Sequence, residues 1–462
     1  MEDQRLTRQL GTVSAMALVV SNMIGTGIFT TSGFLAGDLG SPDLVVSIWF
    51  VGAVIAMAGA LCYAELGMNF PRSGGEYVYL SEAWGPAWGF VDGWVSFVAG
   101  FSAAIATSAL AIASYMAYFF PALDPSQSAG DVTLGPLVLH LGGGQLLACG
   151  VVLTFMAFNV FGIGQVAKLQ NLLTAGKLLV LVLFLVLGFA IGQGDWSHFS
   201  QPAERVSTSP LAAQFLISLV FVYYGYSGWN AAVYVAEEIR EPARTLPIAL
   251  VAGTAIVAVF YALLNCLYIY ANPLESMKGV VAVGAQASGA LFGSAGGGLF
   301  AAAMAASLLA TVNAMSMVGP RVYYAMARDG AFFRIATRLH PKWGSPWIAV
   351  IAQGLCCCVL ILTGTFESLV YYIGFTLWLF TALSVMALLR FRKRPGWRPT
   401  RWVSVAYPLI PALYVIANLF VFVYFVSNRQ GEAAWSLLTV LGGALIYHFY
   451  IRRNSAKAGT RP

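Results

Sequence analysis

Charge is what this chain has least of. Only 10% of its 462 residues are Asp, Glu, Lys or Arg, while 59% are apolar. A soluble domain carries about 25% charged residues, and so few cannot cover a water-facing surface. A soluble enzyme, a disordered chain and a collagen are therefore excluded. Cysteine is scarce too: all six lie in apolar runs, three of them contiguous at Cys356 to Cys358, so no disulfide framework is expected. Histidine is scarcer still. His140, His198, His340 and His448 stand singly, with neither metal spacing nor a catalytic partner. No cofactor, no metal and no enzymatic role are expected.

What remains is an integral membrane protein. A barrel strand needs about 9–11 alternating residues and a spanning helix about 20 apolar ones. Runs such as Leu178 to Ile191 and Ala249 to Tyr270 are continuous, which points to helices. Met1 to Leu10 carries Glu2, Asp3, Arg5 and Arg8 without a small-residue cleavage pattern, so the first span is expected to stay in place. About twelve spans follow from the apolar runs. They lie near 13–37, 43–69, 86–120, 145–163, 168–192, 210–236, 246–271, 292–326, 347–364, 366–389, 404–427 and 433–451. The third and eighth are long enough to tilt or protrude.

Loop charge sets the orientation. With the N-terminus inside, 21 of the 25 lysines and arginines fall in inner loops and tails. Arg205, Lys278 and Arg429 fall outside, and Lys177 sits within a span. The asymmetry predicts cytoplasmic tails at 1–12 and 452–462. It also accounts for the net charge of +6 without any nucleic acid. The cluster Arg390 to Arg401 reads as a topology determinant on a short inner loop, with a lipid-head-group site as the alternative.

The halves overlay at an offset of 200 residues, Gly25 onto Gly225. A first five-helix unit, 13–192, thereby matches a second, 210–389, and helices 11 and 12 at 404–451 stand apart. Five is odd, so the second unit must be inverted in the bilayer, a common construction among secondary transporters. Each unit interrupts its first span with glycine: Gly25-Thr26-Gly27 in one, Gly225-Tyr226-Ser227-Gly228 in the other. One such pair could serve helix packing alone. Two at matching positions point to a central binding site.

An interrupted helix at mid-membrane offers bare N–H groups from one half and bare carbonyls from the other. The first suit a carboxylate and the second an ammonium, so a zwitterion fits without a charged side chain. Ile24 to Ile28 and Tyr224 to Asn230 contain no Asp, Glu, Lys or Arg, in keeping with that. Tyr224, Tyr226 and Trp229 could close over a bound side chain, or simply pack.

At these residues the chain resembles a known family. Gly25-Thr26-Gly27-Ile28-Phe29, Tyr63-Ala64-Glu65-Leu66, Pro71-Arg72-Ser73-Gly74-Gly75-Glu76-Tyr77 and Tyr226-Ser227-Gly228-Trp229-Asn230 with Glu237-Glu238 are similar to the amino acid–polyamine–organocation superfamily. Gly319-Pro320-Arg321 through Asp329-Gly330, and Gly374-Phe375 to Trp378-Leu379-Phe380, extend the likeness over roughly residues 8 to 450. The L-type amino acid transporter branch is the nearest in pattern.

The resemblance implies an all-α membrane fold of the leucine-transporter type, five plus five inverted spans and two more. It implies that the backbones of Gly25, Thr26 and Gly27 hold a substrate carboxylate, and that carbonyls around Ile24 and Tyr224 to Tyr226 accept the amino group. Tyr224 would be a proximal gate, and Asn230 would help to shape the broken helix. Lys177, in Thr174-Ala175-Gly176-Lys177, looks like the lysine that replaces the cation of sodium-coupled relatives, which implies sodium-independent transport. Independently of any family, a lysine about one-third into a span is costly and functional by default. The inner end at Lys168 lies roughly 13 Å away along the helix, too far for easy snorkelling. Ser307 or Thr311 is its expected neighbour.

Glu65 and Glu76 flank one inner loop, and Glu237 and Glu238 the matching one. With Arg72, Arg240, Arg244, Arg321 and Arg328 they could form inner-gate ion pairs, or stand as solvated charges. Asp92 is expected to cap or pair near the inner surface. Animal relatives in the L-type branch join a heavy subunit through a cysteine between spans three and four. Residues 121–144 contain none, so no covalent heavy chain is expected, and the pattern fits a prokaryotic inner-membrane protein acting alone in the lipid bilayer. The expected function is secondary transport of neutral L-amino acids by alternating access, as exchanger or proton symporter. Cationic amino acid or polyamine transport is the rival in the same fold. An amino-acid-sensing receptor, a channel and a membrane enzyme are the rivals from other classes.

Overall fold

The computed structural model describes residues 6–452 apart from 128, 129, 135, 136, 281 and 429. The expectations for Arg5, Arg429, Arg453, Lys457 and Arg461 lie outside those residues, as does most of the 452–462 tail. In chain order the elements are α1 (Thr12–Met23), α2 (Thr26–Leu39), α3 (Pro42–Asn69), α4 (Glu76–Trp84), α5 (Pro86–Val95) and α6 (Ser102–Met116). A hairpin of β1 (Gly130–Leu134) and β2 (Leu137–Leu141) precedes α7 (Gly143–Val160), α8 (Ile163–Ala190) and α9 (Leu211–Tyr226). Then come α10 (Pro242–Ala271), α11 (Leu274–Met277), α12 (Val283–Phe292), α13 (Ser294–Arg328), α14 (Trp347–Thr363) and α15 (Phe366–Phe391). The last are α16 (Arg401–Val405), α17 (Leu409–Asn428) and α18 (Gln430–Ile446).

Among the described residues, nine helical segments are long and apolar enough to cross a membrane, and three shorter apolar helices join them. These twelve coincide with the apolar runs of the sequence. Local chemistry sets their ends. Pro42 and Pro242 open α3 and α10, where a missing N–H costs nothing. Gly40, at φ 63°, closes α2 in the left-handed conformation that glycine adopts freely. Thr365 and Ser368 form a reciprocal capping box at the start of α15.

The packing is inside-out relative to a soluble protein. Leu172, Leu179, Val186 and Leu187 on α8, and Leu355 and Val359 on α14, are exposed and apolar, a surface made for hydrocarbon. The interior is crowded with aromatic residues: Trp49, Tyr261 and Tyr226 pack together where α3, α10 and α9 meet. α10 lies along α3 and α1, and α13 along α6 and α8. Several elements escaped the sequence reading, among them these three. The segment after α6 carries an antiparallel hairpin, with Asp131 facing His140. The loop after α3 contains the short, half-polar α4. The chain after α9 continues as a 3-10 helix over Ala231–Glu238.

Candidate functional site

Two interruptions face each other in the middle of the bundle. α1 stops at Met23, Ile24 leaves helical geometry at ψ 85°, and Gly25 is the extended N-cap of α2. No side chain caps α2, so its first N–H groups, at Thr26 and Gly27, lack an intrahelical acceptor. The second interruption sits later than expected. α9 runs through Gly225 to Tyr226, and the chain breaks over Ser227 to Asn230, with Gly228 at φ 98°. Gly225 serves contact instead. A Cβ on Gly27 would lie 2.6 Å from the Gly225 Cα, so the two glycines let α2 and α9 touch backbone to backbone. A Cβ on Gly25 would meet nothing closer than 3.8 Å. Gly27→Ala is therefore expected to separate the helices, costing about 1–3 kcal/mol as an overpacked contact, and to depress transport strongly. Gly25→Ala should be far milder. Thermal midpoints and uptake rates of the two purified variants check this, and equal damage would refute it.

Between the interruptions lies a cavity of about 80 Å³. Of the residues singled out in the sequence, Gly25, Thr26, Gly27, Tyr224, Ser227, Gly228, Asn230 and Thr311 line it. Thr26 and Tyr224 join across it through their hydroxyls at 2.9 Å. Ile24, Ile28, Gly225, Tyr226 and Trp229 do not line it. Tyr226 is 1% exposed and donates to the Trp49 carbonyl, and Trp229 packs edge-on against Tyr63 and Tyr414. Both are core residues, and of the three aromatics only Tyr224 can close over a ligand. The sequence reading missed the rest of the wall: Asn22, Met23, Ser96, Gly100, Phe101, Ala104, Ser108, Ala231, Tyr234, Met315 and Ile373. Ser96 to Phe101 form a π-helical turn between α5 and α6. Such insertions leave no mark in hydrophobic periodicity.

Lys177 is 2% exposed, and its amine is fully engaged. Nζ donates to the Ile24 carbonyl at 2.6 Å, to Thr311 Oγ1 at 2.8 Å and to the Ser21 carbonyl at 3.3 Å. It thus sits on the carbonyl end of α1, where the helix dipole is negative. Thr311 is the neighbour. The Ser307 hydroxyl is buried without a hydrogen-bond partner. One expectation changes as a result: the Ile24 carbonyl is occupied by Lys177 and is not free for a substrate amine.

This geometry agrees with the comparisons. The family model described as amino acid permease matches residues 10–447. The chain belongs to the amino acid permease family. The permease is 29% identical to the mouse b(0,+)-type amino acid transporter 1, over 96% of this chain and 88% of the relative. It is 27% identical to the serine/threonine exchanger SteT of Bacillus subtilis, over 98% and 99% of the two chains. It is 28% identical to the mouse large neutral amino acids transporter small subunit 2, over 96% and 81%. These relatives are transporters, not enzymes, and the permease is a multi-pass membrane protein like them.

The basic face of the permease is tied by ion pairs, partly as expected. Arg321 Nε meets Glu238 Oε1 at 2.8 Å, and Arg328 meets Glu237 at 2.9 Å. Arg72 pairs with Asp329 at 2.9 Å, bridging the α3–α4 loop to the end of α13. Glu65 takes a partner that the sequence did not indicate. Arg392 holds it at 2.7 and 2.8 Å, and Trp397 Nε1 and Thr400 also donate to it. Part of the basic stretch 390–401 is therefore a clamp on α3. No ion pair involving Glu76, Asp92, Arg240 or Arg244 is found among the described residues. Glu76 accepts hydrogen bonds from Tyr63 and Asn230 instead.

Proposed function

We propose that this permease is a sodium-independent secondary transporter of neutral L-amino acids, working by alternating access as an exchanger or proton symporter. The observation that carries the reading is the cavity wall, which joins two helix interruptions and, among the described residues, contains no Asp, Glu, Lys, Arg or His. An amino acid there neutralises its own charges on backbone: the carboxylate on the Thr26 and Gly27 N–H groups, the ammonium on the carbonyls of Tyr226 and Ser227, since those of Tyr224 and Gly225 already accept from Ser227 and Tyr261. Gly25 shapes that N-terminus, and Tyr224 with Thr26 gates the cavity. The small cavity favours short side chains, in line with a serine/threonine exchanger among the relatives. Lys177 with Thr311 takes the place of a coupling cation, and Glu65, Arg72, Glu237, Glu238 and Arg321 make the inner gate. The two units, 13–192 and 210–389, are inverted relative to one another. The α3 and α10 starts, at Pro42 and Pro242, keep the 200-residue offset. The protein resides in the cell membrane with its basic face inside, and without a covalent heavy chain.

Sodium-free proteoliposomes test this. Labelled L-alanine, L-serine and L-leucine are offered to vesicles preloaded with neutral amino acids or left empty. Uptake only into loaded vesicles identifies an exchanger. Uptake into empty vesicles, raised by an acidic exterior, identifies a proton symporter. No uptake in either would overturn the neutral-substrate reading and direct the assay to cationic amino acids and polyamines.

A further inference from the structure

Glu76, at the first turn of α4, is 2% exposed, and Asp92, on α5, is 3% exposed. Neither is ion-paired among the described residues. Glu76 Oε1 accepts from Asn230 Nδ2 at 2.6 Å and from the Tyr63 hydroxyl at 2.9 Å. Glu76 Oε2, Asp92 Oδ2 and the buried hydroxyl of Tyr79 have no hydrogen-bond partner at all. An enclosed carboxylate without a counter-charge is unfavourable by several kcal/mol on general grounds, and such a group takes up a proton instead. An orphaned carboxyl oxygen is where that proton resides.

Among the described residues, the neighbouring elements supply no free cation. From α3 come Tyr63 and Glu65, the latter held by Arg392. From α5, which packs against α4, comes Asp92. From the 3-10 helix come Tyr234, which accepts from Asn230 at 3.0 Å, and Glu237 and Glu238, tied to Arg328 and Arg321. From α9 and α17 come the phenols of Tyr223 and Tyr414, bonded to each other. Arg390 on α15 lies over the Trp84 ring, and Arg72 is bound to Asp329. Burial is the largest influence on the Glu76 carboxyl and pushes it above the ordinary carboxylate range, outweighing the hydrogen bonds it accepts from Tyr63 and Asn230.

We propose that Glu76, with Asp92 on the adjoining α5, is a proton-binding site linked to the substrate cavity through Asn230. Asn230 both lines the cavity and donates to Glu76, and so does its neighbour Tyr234 line it. Occupancy of the carboxyl therefore sets the position of two cavity-wall side chains. The proton is exchanged with water at the basic face when the Arg72–Gly75 loop moves: an O–H bond forms on the carboxylate, and hydronium is left as water. The neutral acid belongs to the arrangement seen here, with Glu76 enclosed. The ionised form belongs to an arrangement in which water reaches it. This deepens the transporter reading, and one arm of its test stands without it.

The first arm is infrared spectroscopy of the purified protein near neutral pH. Wild type should show a protonated-carboxyl C=O stretch, shifted in heavy water, that Glu76→Gln removes. Asp92→Asn should move that band without abolishing it. No protonated-carboxyl band at all, or a spectrum in this region unchanged by Glu76→Gln, overturns the site whatever the protein transports; a residual band that Asp92→Asn removes belongs to Asp92. The second arm follows L-serine exchange across pH in proteoliposomes. Wild-type rates should change by up to about tenfold per pH unit over the titration, and the Glu76→Gln profile should be flat. Glutamine keeps the acceptor for Tyr63 and Asn230 and imitates the neutral acid. A band lost with the pH profile unchanged would make the proton structural and refute the link to the cavity. Should Glu76→Gln fail to fold, the band and profile of Asp92→Asn decide, and wild-type values for both refute the pair.

Discussion

Replacing Lys177 with alanine is expected to slow turnover roughly 10- to 100-fold while leaving amino acid affinity within about threefold of wild type. The amine does not line the cavity, yet it binds the Ile24 carbonyl, one residue before the α2 N-cap that faces it. A hydrogen bond to a charged group contributes about 1.5–3 kcal/mol, and each 1.4 kcal/mol in a barrier is tenfold in rate. Without Nζ, the Ser21 and Ile24 carbonyls keep only the Thr311 hydroxyl, at 3.0 and 3.1 Å. α1 is then no longer pinned to α8 through an ammonium, and the relation between the α1–α2 interruption and the rest of the bundle is loosened. That relation matters when the bundle changes shape more than when the ligand sits still. Turnover in proteoliposomes and equilibrium binding of L-serine to detergent-purified protein separate the two. Equal loss in both, or loss in neither, would remove Lys177 from the coupling step.

How much of this was legible in the sequence follows from the range of the forces involved. Apolar run length is a local property, and it located the membrane helices to within a few residues. Glycine pairs marked the interruptions for the same reason, though they could not say which glycine bends and which makes room. Gly225 looked like a break because Gly25 is one, yet its backbone is helical and its value lies in what crosses it, the Gly27 backbone. Contacts between distant segments were the illegible part. Nothing near Glu65 predicts Arg392, 327 residues away. Nothing near Ser96 or Ile373 marks them as cavity wall, since a half-buried serine or a buried isoleucine is ordinary in any membrane helix. Lys177 could be read because a lysine in hydrocarbon is expensive enough to need a reason. Glu76 was visible as a charge but was read as either an ion-pair partner or a solvated loop charge, because sequence does not reveal enclosure without a partner.

The same distinction between enclosed and exposed charge sets the second large effect, at Arg321 and Glu238. Their side chains are 1% and 3% exposed, and the contact is a single Nε–Oε1 bond of 2.8 Å, with Arg321 Nη1 left without a partner. Truncating one member of such a pair strands the other's charge, at about 3–5 kcal/mol. Arg321→Ala and Glu238→Ala should each lower the thermal midpoint sharply. The double substitution Arg321→Met with Glu238→Leu should recover most of that loss, because neither charge remains to be desolvated. Arg72→Ala is the contrast. Its pair with Asp329 is 41% and 36% exposed, so the change is expected to cost at most about 1 kcal/mol. If the buried pair acts only as a structural tie, the double variant will transport normally. If the buried pair must separate and re-form whenever the basic face opens, the double variant will be stable yet altered in exchange rate. Thermal midpoints and L-serine exchange measured on the same four preparations distinguish these outcomes. A double variant as unstable as either single one would mean that the pair holds the fold through geometry rather than charge.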